Sequence, residues 1–168
     1  MISEQPMRIA IAGGGTGGHL FPGIAIAEEF RKRNKKAEIL FIGTQRGVES
    51  KLLKEIGYQL RMIDVEGVKG RGIRALIKGF YKVPQSMWQS RQILKQFQPQ
   101  IVIGVGGYAS GPAVLAAYLM GIRTAVAEQN AVPGITNRIL GHFVRKVFVT
   151  YEQTAEWFSQ SKVILSGN

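Results

Sequence analysis

Cysteine is missing altogether from the 168 residues, which excludes disulfides, thiolate metal sites and a cysteine nucleophile. Long apolar runs are missing too. The longest, around residues 113–122, is too short to span a bilayer and carries Gly121. The opening residues 1–6 are polar and lack the apolar core of a signal peptide, so the expectation is a cytoplasmic protein whose membrane contact is peripheral. Acid is missing from one long stretch: residues 67–127 hold no Asp or Glu, yet carry Lys69, Arg71, Arg74, Lys78, Lys82, Arg91, Lys95 and Arg123. With a net charge of +11 placed so unevenly, the segment is either a solvated basic face or the seat of an anionic partner, whether phosphate, lipid headgroup or nucleic acid.

What is present is an ordinary globular composition, 45% hydrophobic and 20% charged, at a length that suits one domain with a real core. Short β-branched runs alternate with helical periodicity. Strands are expected at 7–12, 39–42, 59–65, 101–105 and 123–127, and helices at 22–33, 48–56, 73–97 and 112–120. The long helix is expected to break or kink at Pro84. Weaker strand, helix and strand signals follow at 146–149, 154–158 and 163–165. This alternation predicts an α/β fold, a Rossmann-like parallel sheet with helices on both faces. Right-handed crossovers would then bring every strand-to-helix loop to the carboxyl edge of the sheet. The stop at residues 164–168, on a strand and loop, reads as a truncation at a domain boundary.

The 21 glycines are clustered, and two clusters follow strands directly. Gly13-Gly14-Gly15-Thr16-Gly17-Gly18-His19 follows the first strand; Gly104-Val105-Gly106-Gly107-Tyr108-Ala109-Ser110-Gly111-Pro112 follows the fourth. Glycine lets bare amides converge on an anion at a helix N-terminus, where the dipole is also favourable. Two such loops on one sheet edge suffice for a diphosphate. Gly13, Gly15 and Gly18 fit the G-x-G-x-x-G pattern, but the acid that should hold a ribose after the second strand is absent: that strand ends Ile42-Gly43-Thr44, and Glu38 precedes it. His19, at the lip of the first loop, is either a capping histidine or a group that accepts a proton or orients a phosphate. Ser110 can cap its helix or bind phosphate, and Tyr108 can donate to an anion or pack. After the fifth strand, Glu128-Gln129-Asn130 places three hydrogen-bonding side chains on the same edge, with Asn130 able to read hydroxyls and Asn137 in the helix beyond. In the acid-free stretch, Ile73, Leu76, Ile77, Phe80 and Tyr81 share one helix face, while Arg74, Lys78 and Lys82 recur every four residues on another. With Trp88 beside them they suit an interfacial helix on anionic lipid, or a helix simply packed on the sheet.

Taken together, GGGTGGHLFPG, GVKGRGIRALIKG, GVGGYASGPAVLAA and AEQNAVPGITNRIL, in that order over essentially the whole chain, resemble the MurG family. These are the UDP-N-acetylglucosamine–N-acetylmuramyl-(pentapeptide) pyrophosphoryl-undecaprenol N-acetylglucosamine transferases of peptidoglycan synthesis. The resemblance implies residues 1–168 as the N-terminal, acceptor-binding half of a two-domain GT-B glycosyltransferase, with the UDP-sugar-binding domain absent and the piece inactive alone. It implies an inverting transfer from UDP-GlcNAc to undecaprenyl-diphosphate-linked N-acetylmuramyl-pentapeptide, with no metal and no cofactor, since amides and helix dipoles can stabilise the leaving diphosphate. His19 matches the family's candidate general base. Thr16, Gly17, Gly18 and Asn130 match positions that reach the nucleotide-sugar. Gly14, Gly15, Gly106, Gly107, Tyr108, Ser110 and Glu128 would serve the acceptor diphosphate, and the segment from Ile73 to Trp88 the membrane. The implied location is the cytoplasmic face of the bacterial inner membrane, peripherally bound. Where the family usually has histidine, this chain has Ala127, so no imidazole role carries over to that position. The rival readings are a Rossmann-type module for NAD or a free nucleotide, and a basic nucleic-acid binder; the latter lacks aromatic stacking motifs and is set aside.

Overall fold

The computed structural model describes residues 6–14, 17–44, 49–65 and 73–167, the side chains of residues 49–51 and 73–81 excepted. Along the chain run β1 (Arg8–Gly13), α1 (Gly17–Arg33), β2 (Glu38–Thr44), α2 (Glu49–Glu55), β3 (Gln59–Ile63), α3 (Ile73–Phe97) and β4 (Ile101–Gly106). There follow α4 (Ser110–Leu119), β5 (Arg123–Glu128), α5 (Ile135–Gly141), β6 (Lys146–Val149), α6 (Glu152–Ala155) and β7 (Val163–Leu165). The seven strands form one sheet in the order β3-β2-β1-β4-β5-β6-β7, and every pairing is parallel.

Side chains alternate across a strand, so each strand feeds two cores. Ile9, Ile11, Ile39, Phe41, Ile103 and Val105 face one side, with Leu20 and Ala27 of α1 and Leu53 of α2. Ala10, Ala12, Leu40, Ile42, Val102 and Val126 face the other, with Leu94 of α3, Ala113 and Val114 of α4 and Leu140 of α5. The second face is lined by small residues at the centre of the sheet. At Gly104 a Cβ would collide with Ser110 Oγ and approach Val114 Cγ2 to 2.9 Å, so glycine there is what lets α4 press close. On the first face, α1 and strands β4–β6 bound an apolar hollow of about 370 Å³ lined by Pro22, Ile26, Phe30 and Phe148.

Three elements depart from their sequence expectation. Helix α1 begins at Gly17, more than a turn before Pro22, which puts His19 inside its first turn. Helix α3 runs unbroken through Pro84; the proline lies exposed, where water can satisfy the carbonyl it strands. The last helical signal, expected over 154–158, is a single turn at Glu152–Ala155. Among the described residues, no helix is long and apolar enough to cross a membrane.

Candidate functional site

The chain reverses its direction of travel across the sheet between β1 and β4. From β1 it moves outward through β2 to β3; from β4 it moves the other way. Loops leaving two such strands diverge to opposite faces and open a crevice at the carboxyl edge, the usual ligand position in this architecture. Both glycine loops leave from that point.

They are in contact. Gly13 pairs with Gly106 across a register shift, and a Cβ on Gly13 would meet Val105 Cγ2 and, at 2.7 Å, the Gly106 carbonyl oxygen. Gly107, with φ of +81°, lies on the Gly14 peptide, so that a Cβ would land on the Gly14 oxygen. Gly106, with φ of +96°, is covered by the His19 ring: a Cβ there would stand 2.8 Å from Nδ1 and 2.9 Å from Cε1. His19 is thus half-buried at the seam where the first turn of α1 meets the β4–α4 loop. Tyr108 is 52% exposed beside it, while Gly18 is exposed and Gly17 half-buried at the start of α1. Gly15 and Thr16, expected to be diphosphate and nucleotide-sugar contacts, lie outside the described residues.

The β5–α5 loop completes the rim, and burial bears on two of the expected contacts, Glu128 here and Ser110 in α4. Glu128, expected to serve the acceptor, is 3% exposed and its carboxylate is occupied by its own loop. Oε1 accepts from Asn130 N (3.0 Å) and Asn130 Nδ2 (2.8 Å); Oε2 accepts from Gly134 N (3.0 Å) and Asn137 Nδ2 (3.0 Å). A buried carboxylate needs such partners, and these four bonds make Glu128 the organiser of the turn. Ser110 is also turned inward, fully buried against Gly104, with no partner for its hydroxyl among the described residues. It neither caps α4, where Ala109 holds the cap position, nor presents its hydroxyl to the crevice. Asn130 stays exposed, with its amide oriented by Glu128 and its carbonyl held by Thr154 Oγ1 at 2.9 Å.

By sequence Gln129 is only one of three hydrogen-bonding side chains on this edge, with no task of its own, yet it joins the two sides of the crevice. Its Nε2 donates to the Gly18 carbonyl at 3.0 Å and lies 2.9 Å from His19 Nδ1. The signal that could have found it is Pro22. A proline four residues after Gly18 leaves that carbonyl without its helical donor, so some other group must supply one.

Of the expected membrane contacts, α3 carries them all, but the side chains of Ile73, Arg74, Leu76, Ile77, Lys78, Phe80 and Tyr81 lie outside the described residues. Lys82 is half-buried with its Nζ 3.7 Å from Asp64. Trp88 is 62% exposed and Val83 46% exposed, whereas Ser86 and Ser90 are fully buried. No cluster of three or more metal-ligating side chains occurs among the described residues. Glu38, the one acid near a ribose-holding position, stands at the amino end of β2, away from the crevice.

Against known proteins, the family model for the glycosyltransferase family 28 N-terminal domain matches residues 9–149. A UDP-N-acetylglucosamine–N-acetylmuramyl-(pentapeptide) pyrophosphoryl-undecaprenol N-acetylglucosamine transferase of Syntrophus aciditrophicus is 56% identical over 96% of this chain and 45% of its own length. The transferase of the same name from Myxococcus xanthus is 51% identical over 96% of this chain and 42% of its own. The chain therefore spans less than half the length of these relatives. Among solved structures, MurG of Acinetobacter baumannii superposes with a TM-score of 0.80 at 28% identity, covering 96% of this chain and 45% of that one. The seven-stranded parallel sheet is the N-terminal Rossmann-like half of a GT-B fold, and the chain belongs to the glycosyltransferase family 28 N-terminal domain family.

Proposed function

We propose that this chain is the acceptor-binding half of a peptidoglycan glycosyltransferase. The whole protein would transfer N-acetylglucosamine from UDP-GlcNAc to undecaprenyl-diphosphate-linked N-acetylmuramyl-pentapeptide. The observation that carries the reading is the interlocked pair of glycine loops at the switch point, with His19 lying across their seam. Close approach at Gly13, Gly106 and Gly107 leaves no room for side chains, which is the condition under which amides can close on a diphosphate. Gly15 is assigned to the same cradle and Tyr108 to its outer wall. Thr16, Gly17, Gly18 and Asn130 reach the nucleotide-sugar from this side, the remaining donor contacts coming from a second half. His19 is the catalytic group at the junction of the two. The names borne by the relatives support this substrate pair.

The transfer assay tests it. A protein of the relatives' full length that carries this half turns over UDP-GlcNAc and a lipid-linked N-acetylmuramyl-pentapeptide, while the 168-residue chain by itself gives no sustained turnover. Absence of transfer by the longer protein sinks the assignment of substrates. Steady turnover by the chain alone sinks the division of labour.

The membrane surface belongs to the same reading, as a peripheral contact at the cytoplasmic leaflet. Helix α3 presents Val83, Pro84 and Trp88 outward, and the acid-free stretch supplies its cations. The chain is expected to sediment with vesicles rich in phosphatidylglycerol. Charge reversal at Arg74, Lys78 and Lys82 should weaken that binding tenfold or more, at roughly 1 kcal/mol per basic group near an anionic surface. Binding indifferent to lipid charge and to these substitutions would reduce α3 to a core helix.

A further inference from the structure

Gln129 and His19 are 110 residues apart in sequence, and the contact between them bears on which ring nitrogen carries the hydrogen. The Gly18 carbonyl can only accept, and Pro22, four residues on, has no N–H to give it. Gln129 Nε2 supplies the missing bond at 3.0 Å. The opposite orientation of the amide would set Oε1 against the Gly18 oxygen, two acceptors face to face, so the partner fixes which end of the amide points inward. With Nε2 so placed, its second hydrogen is directed to His19 Nδ1 at 2.9 Å. An amide nitrogen accepts no hydrogen bond. Nδ1 must therefore carry the lone pair, and the neutral ring carries its hydrogen on Nε2. Gly106 packs close to the same part of the ring, Nδ1 and Cε1.

We propose that Gln129 is a positioning residue that holds His19 in its Nε2–H form, so that the imidazole meets the substrate at the glycine loops as a hydrogen-bond donor to an oxygen, not as a proton acceptor at Nε2. The inference rests on the reading of this crevice as the transfer site. A general base acting through Nε2 needs its hydrogen on Nδ1, and here that would set N–H against N–H. A donor suits oxygen that bears or develops negative charge. The chain that builds it is Pro22 to Gly18 to Gln129 to His19.

The tautomer can be read directly. The chain has two histidines, His19 and His142, and His142 is exposed, an internal reference for a solvated ring. In long-range proton–nitrogen correlation spectra of the nitrogen-15-labelled chain, His19 is expected to show Nδ1 as the unprotonated nitrogen throughout the neutral range. Gln129→Leu should return it to the mixture shown by His142. Gln129→Glu, which offers Nδ1 only acceptors, should move the hydrogen to Nδ1. A protonated Nδ1 in the unsubstituted chain overturns the proposal, as does a His19 pattern that ignores both substitutions. These spectra require no turnover, so their outcome is separate from that of the transfer reading. In the longer transferase, Gln129→Leu should lower kcat about tenfold, the scale of one oriented hydrogen bond, with KM for UDP-GlcNAc unchanged. A loss confined to KM would assign Gln129 to the nucleotide-sugar and overturn its positioning role.

Discussion

Replacing His19 by alanine in a full-length transferase that carries this half should cut kcat by about 10²–10³-fold, the usual loss when one preorganised donor is removed from a developing charge. KM for UDP-GlcNAc should change little, because most nucleotide contacts are assigned to the second half. The expectation follows from where the ring sits. It is held in the first turn of α1, lies over Gly106 and is oriented by Gln129, so its position is specified from three separate elements. His19→Gln supplies an N–H where alanine supplies none, and it should recover part of the lost rate. Equal loss of kcat and nucleotide affinity in His19→Ala would remove the histidine from the reacting centre. A glutamine variant as slow as the alanine one would remove the donor role.

The second large effect is on the scaffold. Gly107→Ala should destabilise the chain by at least about 3 kcal/mol. Roughly 1–2 kcal/mol comes from an L-residue at positive φ, and the remainder from a methyl group driven onto the Gly14 oxygen, a backbone atom that cannot rotate away. For a domain of this size that corresponds to a fall in Tm of about 6–12 °C. Gly121→Ala is the control. Its φ is +72° and nothing lies within 4 Å of the added Cβ, so it bears the backbone cost alone. Thermal and urea denaturation of the two variants isolates the close approach. Equal penalties would mean that the loops do not bear on one another.

The two effects are linked because the same packing that excludes side chains from the seam also leaves backbone amides there. A loop that must touch another loop this closely has no volume to spare. That is why the strained φ values fall at Gly14, Gly106 and Gly107 together, and why glycine is required at each.

Much of the architecture could be read before any coordinates. A period of two against a period of 3.6 is a local property, so the strands at 101–106 and 123–128 and the helix at 73–97 were located almost to the residue. The glycine runs were legible for the same reason: they stand directly after apolar strands, where backbone has to meet a ligand or another loop. The true start of α1 lies before the expected residue 22 and is hard to read locally, because proline rarely sits deeper than a helix's first turn. The helix instead begins at Gly17 and tolerates the proline, since Gln129 repairs the carbonyl bond that the proline breaks.

Polar residue types announced a site, but burial assigned their tasks. Glu128 and Ser110 look like ligand groups when read as letters. Folded, one is bound by three donors of its own loop and a fourth from α5, and the other is sealed against Gly104. Sequence alone determined the fold class, the family resemblance and the two glycine loops, because each is written in neighbouring residues. Only the tertiary structure decided that β1 lies beside β4, that Gly107 rests on Gly14, and that Gln129 reaches His19. Those contacts join segments about a hundred residues apart, and no local pattern records a partner that distant.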